Sequence, residues 1–169
     1  MGIDPGTATT GYGLIRVSNS IIEVGDFGLI ETDKDGNTGR RLGNIFVKME
    51  ALFKKYNPDI IAMERLFFAT NAKTAMGVGQ AQGVMFLAAA RSKIEVVEYA
   101  PGTIKKIVAG NGRADKKEVQ KSLRKILGAK VRSQAHKKTH FDNAADALAV
   151  ALCHAYKDGF EAKGGEKNG

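Results

Sequence analysis

Residues 2–31 read GIDPGTATTGYGLIRVSNSIIEVGDFGLIE, three β-like runs separated by turn residues. Gly2 to Asp4 is a short stub closed by Pro5-Gly6. Thr10 to Val17 then alternates apolar with polar, and Ile21 to Glu31 sets Ile, Val, Phe and Leu between charges. Three consecutive strands with short connections predict an antiparallel meander.

Beyond residue 31 the period changes. Leu42, Ile45, Phe46, Met49, Leu52 and Phe53 recur at helical spacing and predict a helix over Arg40 to Tyr56, stopped by Asn57-Pro58. Asp59 to Glu64 reads as a buried strand, Ala75 to Arg91 as a Gly- and Ala-rich helix packed closely on its neighbours, and Glu95 to Tyr99 as another strand. Gly102 to Val108 and Lys116 to Leu127 predict two helices, the second with a basic face. Ala129 to Phe141 reads as a polar loop, Asn143 to Tyr156 as an almost wholly apolar helix, and the segment from Gly159 onward as a frayed, charged tail. Strands first, then strand-helix alternation, predict an α/β fold. Its mixed sheet joins an antiparallel meander to parallel strands, with helices on both faces, in one domain over residues 1–158 followed by the tail at 159–169.

Composition excludes several classes. The 169 residues are 43% hydrophobic and 26% charged, the balance of a globular core. No apolar run approaches the roughly 18 residues of a membrane span, and the first residues have neither a basic nor an apolar targeting region, which predicts a cytoplasmic protein. The single cysteine, Cys153, provides no internal disulfide and no zinc cluster. The net charge is +8, and residues 101–140 carry twelve Lys and Arg against Asp115 and Glu118, a net +10 that leaves −2 for the remainder. Such a block suits a polyanion, because each phosphate neutralised by Lys or Arg releases counterions.

Three acids stand at the ends of apolar runs or inside one. Asp4 closes the first strand, Glu64 ends Ile60-Ile61-Ala62-Met63, and Asp146 is the lone charge within Ala144 to Leu152. A turn residue at Asp4, pairing of Glu64 with Arg65 or a lysine, and a buried salt bridge at Asp146 would account for each separately. Together, in a basic protein, they predict one shared site. Carboxylates drawn together out of water repel one another, and Mg²⁺ or Mn²⁺, hard cations that take oxygen ligands, removes that penalty. Asp142 and Asn143 precede Asp146 by four and three residues and share its helical face, so either can add a ligand. Acidic metal ligands on a phosphate-attracting surface describe two-metal phosphodiester hydrolysis.

At these residues the sequence resembles the RuvC family of crossover junction endodeoxyribonucleases, the bacterial Holliday junction resolvases. The matching stretches are Gly2 to Gly6 with Thr10 to Gly13, Ala62 to Phe68, Asn71, Gly79 to Ala81, Gly83, Tyr99 to Pro101 with Ile104-Lys105, Gly110 to Gly112 with Lys116, and Ala144 to Ala149. The resemblance implies an RNase H-like fold and a homodimer that makes paired nicks across a four-way DNA junction, in recombination and repair. It also implies two Mg²⁺ ions per active site and branch-migration motor proteins as partners. Family metal ligands fall on Asp4, Glu64, position 143 and Asp146. Phe67, with Phe68 beside it, matches an aromatic that stacks on a base near the crossover. Lys105 and Lys116 match basic residues at the scissile phosphate, and Arg113, Arg40 and Arg41 are further candidates for DNA contact. Position 143 is Asn where the family usually carries Asp or His, and an amide binds metal more weakly than a carboxylate and cannot act as a base. Three readings follow: Asp142 substitutes, three carboxylates suffice, or the chain binds junctions with impaired catalysis. A ribosomal-RNA-processing nuclease of the same fold shares the opening acid and glycines but explains Glu64 to Phe68 poorly. The actin, chaperone and sugar-kinase ATPases open on a phosphate loop similar to Gly2 to Thr7 but need a second such domain. His140 is a general-base candidate near Asp142, and His136 and His154 read as surface or helix residues.

Overall fold

Asp4 and Glu64 owe their positions to a five-stranded sheet. In the computed structural model, which describes residues 1–19, 21–33, 36–66, 72–128 and 138–159, with the backbone alone at 138–143, the strands are β1 (Gly2–Asp4), β2 (Thr9–Ser18), β3 (Ile21–Glu31), β4 (Ile60–Glu64) and β5 (Glu95–Tyr99). Their order across the sheet is β3-β2-β1-β4-β5. The pairs β1–β2 and β2–β3 are antiparallel, and β1–β4 and β4–β5 are parallel. The meander is therefore present, and the parallel strands add to its β1 edge.

Helices cover both faces. On one side α1 (Thr38–Tyr56) and α2 (Ala72–Arg91) bury Ile45, Met49, Phe53, Met85, Ala88 and Ala89 against Ile3, Ile61 and Met63. On the other, α3 (Pro101–Ala109), α4 (Lys116–Leu127) and α5 (Lys138–Lys157) enclose a second core with Ile104, Val119, Leu123, Leu148 and Leu152. The α1 boundaries follow from local chemistry. Asn37 Oδ1 accepts from the Arg40 backbone N–H at 2.9 Å, and Asn57, in the left-handed region at φ 42°, closes the helix by donating to Phe53 O. Pro58 follows that stop.

Two expectations need correction. The loop read over 129–141 is in part helix, because α5 already begins at Lys138. Its first turn holds neither proline nor glycine, so the polar residues there extend a helix that apolar spacing alone does not detect. The rest of that loop and the tail from residue 160 lie outside the described residues. In α2, which begins at Ala72 rather than Ala75, the glycines do not all mark close packing. A Cβ at Gly77 or Gly79 would touch Thr7 or Leu66 at 3.4 Å, but Gly83 faces open space.

A different glycine pair seats the helix that carries Asp146. Gly2 and Gly13 are register partners on β1 and β2, and together they make a flat floor for α5. A Cβ on Gly2 would come within 2.6 Å of Ala151 N, and one on Gly13 within 2.7 Å of the Leu148 side chain and 2.9 Å of its backbone N. Helix and sheet thus approach at backbone distance, which sets the height of Asp146 over the strand ends.

Candidate active site

Strand parity places the first two acids. Ile3, Ile61 and Met63 point into the α1/α2 core, so Asp4 and Glu64, one residue on, point to the face that α5 covers. The parallel register pairs Gly2 with Ala62 and Ile3 with Met63. The next step brings Asp4 and Glu64 side by side at the carboxyl ends of β1 and β4, the edge where open α/β sheets bind ligands. Asp146 projects from α5 one residue before Ala147, whose backbone lies over Gly2.

The three carboxylates sense one another. Asp4 is pushed up to about 7, first by burial and then by the negative charges of Asp146 and Glu64, with the Lys116 ammonium opposing. Glu64 is raised by burial and by Asp146, against Lys105. Lys116 Nζ donates to Asp146 Oδ2 at 2.7 Å in an ion pair whose side chains are 53% and 32% exposed. Asp146 is thus half-exposed and paired, where its apolar neighbourhood predicted burial. The alternative of a salt bridge at Asp146 holds in that sense, without separating the residue from Asp4 and Glu64.

Lys116 is rooted at the first residue of α4 by a capping box: Asp115 Oδ1 accepts from the Glu118 N–H, and Glu118 Oε2 accepts from the Asp115 N–H, each at 2.8 Å. Lys105 stands on α3, which opens with Pro101. Between α3, α4 and α5 lies a cavity of about 240 Å³, lined by Glu64, Lys105, Lys116 and Asp146 with an apolar wall of Ile104, Val119 and Ala149. A larger cleft of about 780 Å³ opens elsewhere, against Leu14 to Ser18 of β2 and residues 57–60, but none of Asp4, Glu64 and Asp146 lines it. The chemistry points to the smaller cavity.

Other residues singled out from sequence are placed as follows. Asp142 and Asn143 lie on α5, and their side chains, like that of His140, are outside the described residues, as are Phe67, Phe68 and His136 altogether. Arg40 and Arg41 occupy the first turn of α1, across the sheet from the carboxylates. Arg113 is exposed in the turn between α3 and α4, its N–H held by Asn111 Oδ1, and is not part of the cavity wall. His154 shares a 2.8 Å hydrogen bond with the Tyr99 hydroxyl. Sequence reading missed Gln82. Buried on α2, it donates to Glu98 Oε1 at 2.9 Å and to the Glu64 backbone carbonyl at 3.4 Å, tying α2 to the strand end that carries Glu64. A polar side chain on the stripe that also holds Ala81, Met85 and Ala89 was the available signal.

A family model described as crossover junction endodeoxyribonuclease RuvC matches residues 1–154. The chain belongs to the RuvC family. A RuvC of Alkaliphilus metalliredigens is 44% identical over 161 residues, covering 95% of this chain and 94% of the relative, and one of Rubrobacter xylanophilus is 43% identical, covering 92% and 84%. Among solved structures, Thermus thermophilus RuvC in complex with Holliday junction substrate superposes with a TM-score of 0.81 at 30% identity, over 93% of this chain and 92% of that one. The yeast mitochondrial Holliday junction resolvase shares the fold, at a TM-score of 0.69 and 14% identity. The RNase H-like fold expected of the family is thus present, and neither the RNA-processing nor the ATPase alternative is favoured.

RuvC enzymes are metal-dependent nucleases, and the donor set fits a metal. It is made of carboxylate oxygens, the ligands of a hard divalent cation, and their mutual repulsion raises Asp4 in the way that a cation would relieve. Among the described residues, no three His, Cys, Asp or Glu side chains stand close enough together to hold an ion by themselves, and the side chains of Asp142 and Asn143 lie outside that set. Lys116 is the cation at Asp146.

Proposed function

We propose that this chain is an endonuclease that resolves four-way DNA junctions by Mg²⁺-dependent hydrolysis, with Asp4, Glu64 and Asp146 as its metal-binding carboxylates. The observation that carries the reading is the electrostatic coupling of those three groups at one sheet edge, beside two lysines. Asp142 or Asn143, from the preceding turn of α5, would complete the ligand set for two ions, with Mn²⁺ able to replace Mg²⁺. When bound, such ions lower the pKa of an attacking water and neutralise the leaving oxygen. The chain's own residues do the rest. Lys105 and Lys116 neutralise the scissile phosphate as negative charge builds on it, and Ile104, Val119 and Ala149 keep one side of the cavity dry, which strengthens those interactions. Lys117, Lys121 and Lys125 on exposed α4, with Arg113 before it, extend the positive surface along the DNA backbone. Phe67 and Phe68 follow Glu64 closely enough to meet an unpaired base at the crossover.

The enzyme acts as a homodimer with two such sites. The supporting feature is the set of large apolar side chains left in solvent on α1 and α2, Val47, Met76 and Leu87 being 64%, 67% and 54% exposed. Residues 1–158 form the nuclease domain. It works in the cytoplasm with branch-migration motors, and no helix among the described residues is long and apolar enough to cross a membrane. The test is nicking of a labelled synthetic four-way junction. Paired nicks in Mg²⁺, absent in chelator and on linear duplex, are expected; metal-independent cleavage, or equal cleavage of the duplex, would refute the proposal.

A further inference from the structure

We propose that Lys116 is an internal competitor of the divalent cation, its ammonium occupying Asp146 until the metal displaces it. The inference rests on the metal-site reading above and adds to it a role for Lys116 in the absence of DNA.

The geometry supports it in two ways. Lys116 Nζ stands 2.7 Å from Asp146 Oδ2, in the place of a charge partner for the carboxylate. The pair is half-exposed, so breaking it is cheap, and the lysine has somewhere to go: its four-carbon stem turns about a backbone pinned by the Asp115–Glu118 box, along a cavity whose wall it shares with Glu64 and Lys105. Of the two lysines on the cavity wall, Lys116 alone is ion-paired to a carboxylate among the described residues; Lys105 acts on Glu64 through its charge without such a bridge.

If Lys116 competes, removing its charge makes metal binding easier even as it removes a phosphate contact. The experiment is calorimetric titration of Mn²⁺ into DNA-free protein for the wild type, Lys116→Gln, Lys117→Gln and Asp4→Asn. Lys117 is the adjacent exposed lysine, and it controls for loss of one positive charge near the site. Lys116→Gln should bind Mn²⁺ about three- to tenfold more tightly, the range expected when a weak surface ion pair is removed together with its repulsion of the ion. Lys117→Gln should change affinity less than about twofold, given screening at physiological salt. In cleavage, Lys116→Gln should lower the Mg²⁺ concentration for half-maximal rate while also lowering the maximal rate, a split that simple structural damage does not produce. Unchanged or weaker Mn²⁺ binding in Lys116→Gln, or a gain matched by Lys117→Gln, overturns the inference while the metal site stands. Wild-type binding that survives intact in Asp4→Asn overturns the metal site itself.

Discussion

Replacing Asp4 with asparagine should stabilise the metal-free protein at the same time as it destroys the enzyme. Its carboxyl is raised from 3.8 to about 7 by burial and by Asp146 and Glu64. A group whose folded pKa lies above its unfolded value contributes stability that is complete below about pH 3.8 and is lost as pH climbs through about 7. Above pH 7 the metal-free fold therefore carries an ionised Asp4 against its neighbours. The shift of about 3 units, at 1.36 kcal/mol per unit, sets a ceiling of about 4 kcal/mol. Screening by solvent at the half-exposed Lys116–Asp146 pair, and the polar amide that asparagine leaves behind, bring the expected gain to about 1–3 kcal/mol. Urea unfolding in chelator is the assay. Asp4→Asn should be more stable than wild type at pH 8, and most of the difference should vanish by pH 4.5. Added Mg²⁺ should then stabilise the wild type but not the variant, since only a folded state that binds the ion gains from it. A variant less stable than wild type at pH 8, or a gain that ignores pH, would refute the electrostatic argument.

Gly13→Ala forces a methyl into the Leu148 side chain and backbone. It should cost about 1–3 kcal/mol in thermal or urea unfolding and, by lifting α5 and Asp146, slow cleavage by more than it weakens junction binding. Asn143→Asp supplies a carboxylate on the turn before Asp146; single-turnover nicking should rise about tenfold or more if the amide limits metal binding, and stay level if Asp142 already serves. Gln82→Leu removes the amide that ties α2 to the Glu64 carbonyl and to Glu98. Its stability should fall by about 1–2 kcal/mol in the same unfolding assay, with Glu98→Gln restoring part of the loss by removing the stranded charge.

The strands and most helices were legible because period and turn residues act locally. Asp4 and Glu64 stood out as charges at the ends of apolar runs, and strand parity then did what those runs implied. Asp146 was legible as a charge that needs a partner, but the partner was not, since Lys116 is delivered by α4, thirty residues earlier in the chain. The Gly2–Gly13 floor was invisible for the same reason: its meaning lies in a register between two strands and a helix far along the chain. The Asp115–Glu118 box, by contrast, is written locally in D-x-x-E, although by charge alone its two acids are simply the exceptions in a basic block. The early start of α5 at Lys138 escaped because polar residues carry helical propensity without helical apolar spacing.

The hydrolytic centre is tested most directly by single-turnover cleavage of a four-way junction by Asp4→Asn and Asp146→Asn, with junction affinity measured on the same preparations. The account predicts that both variants bind the junction as the wild type does and leave it uncut in Mg²⁺. Cleavage at the wild-type rate by either one would contradict it.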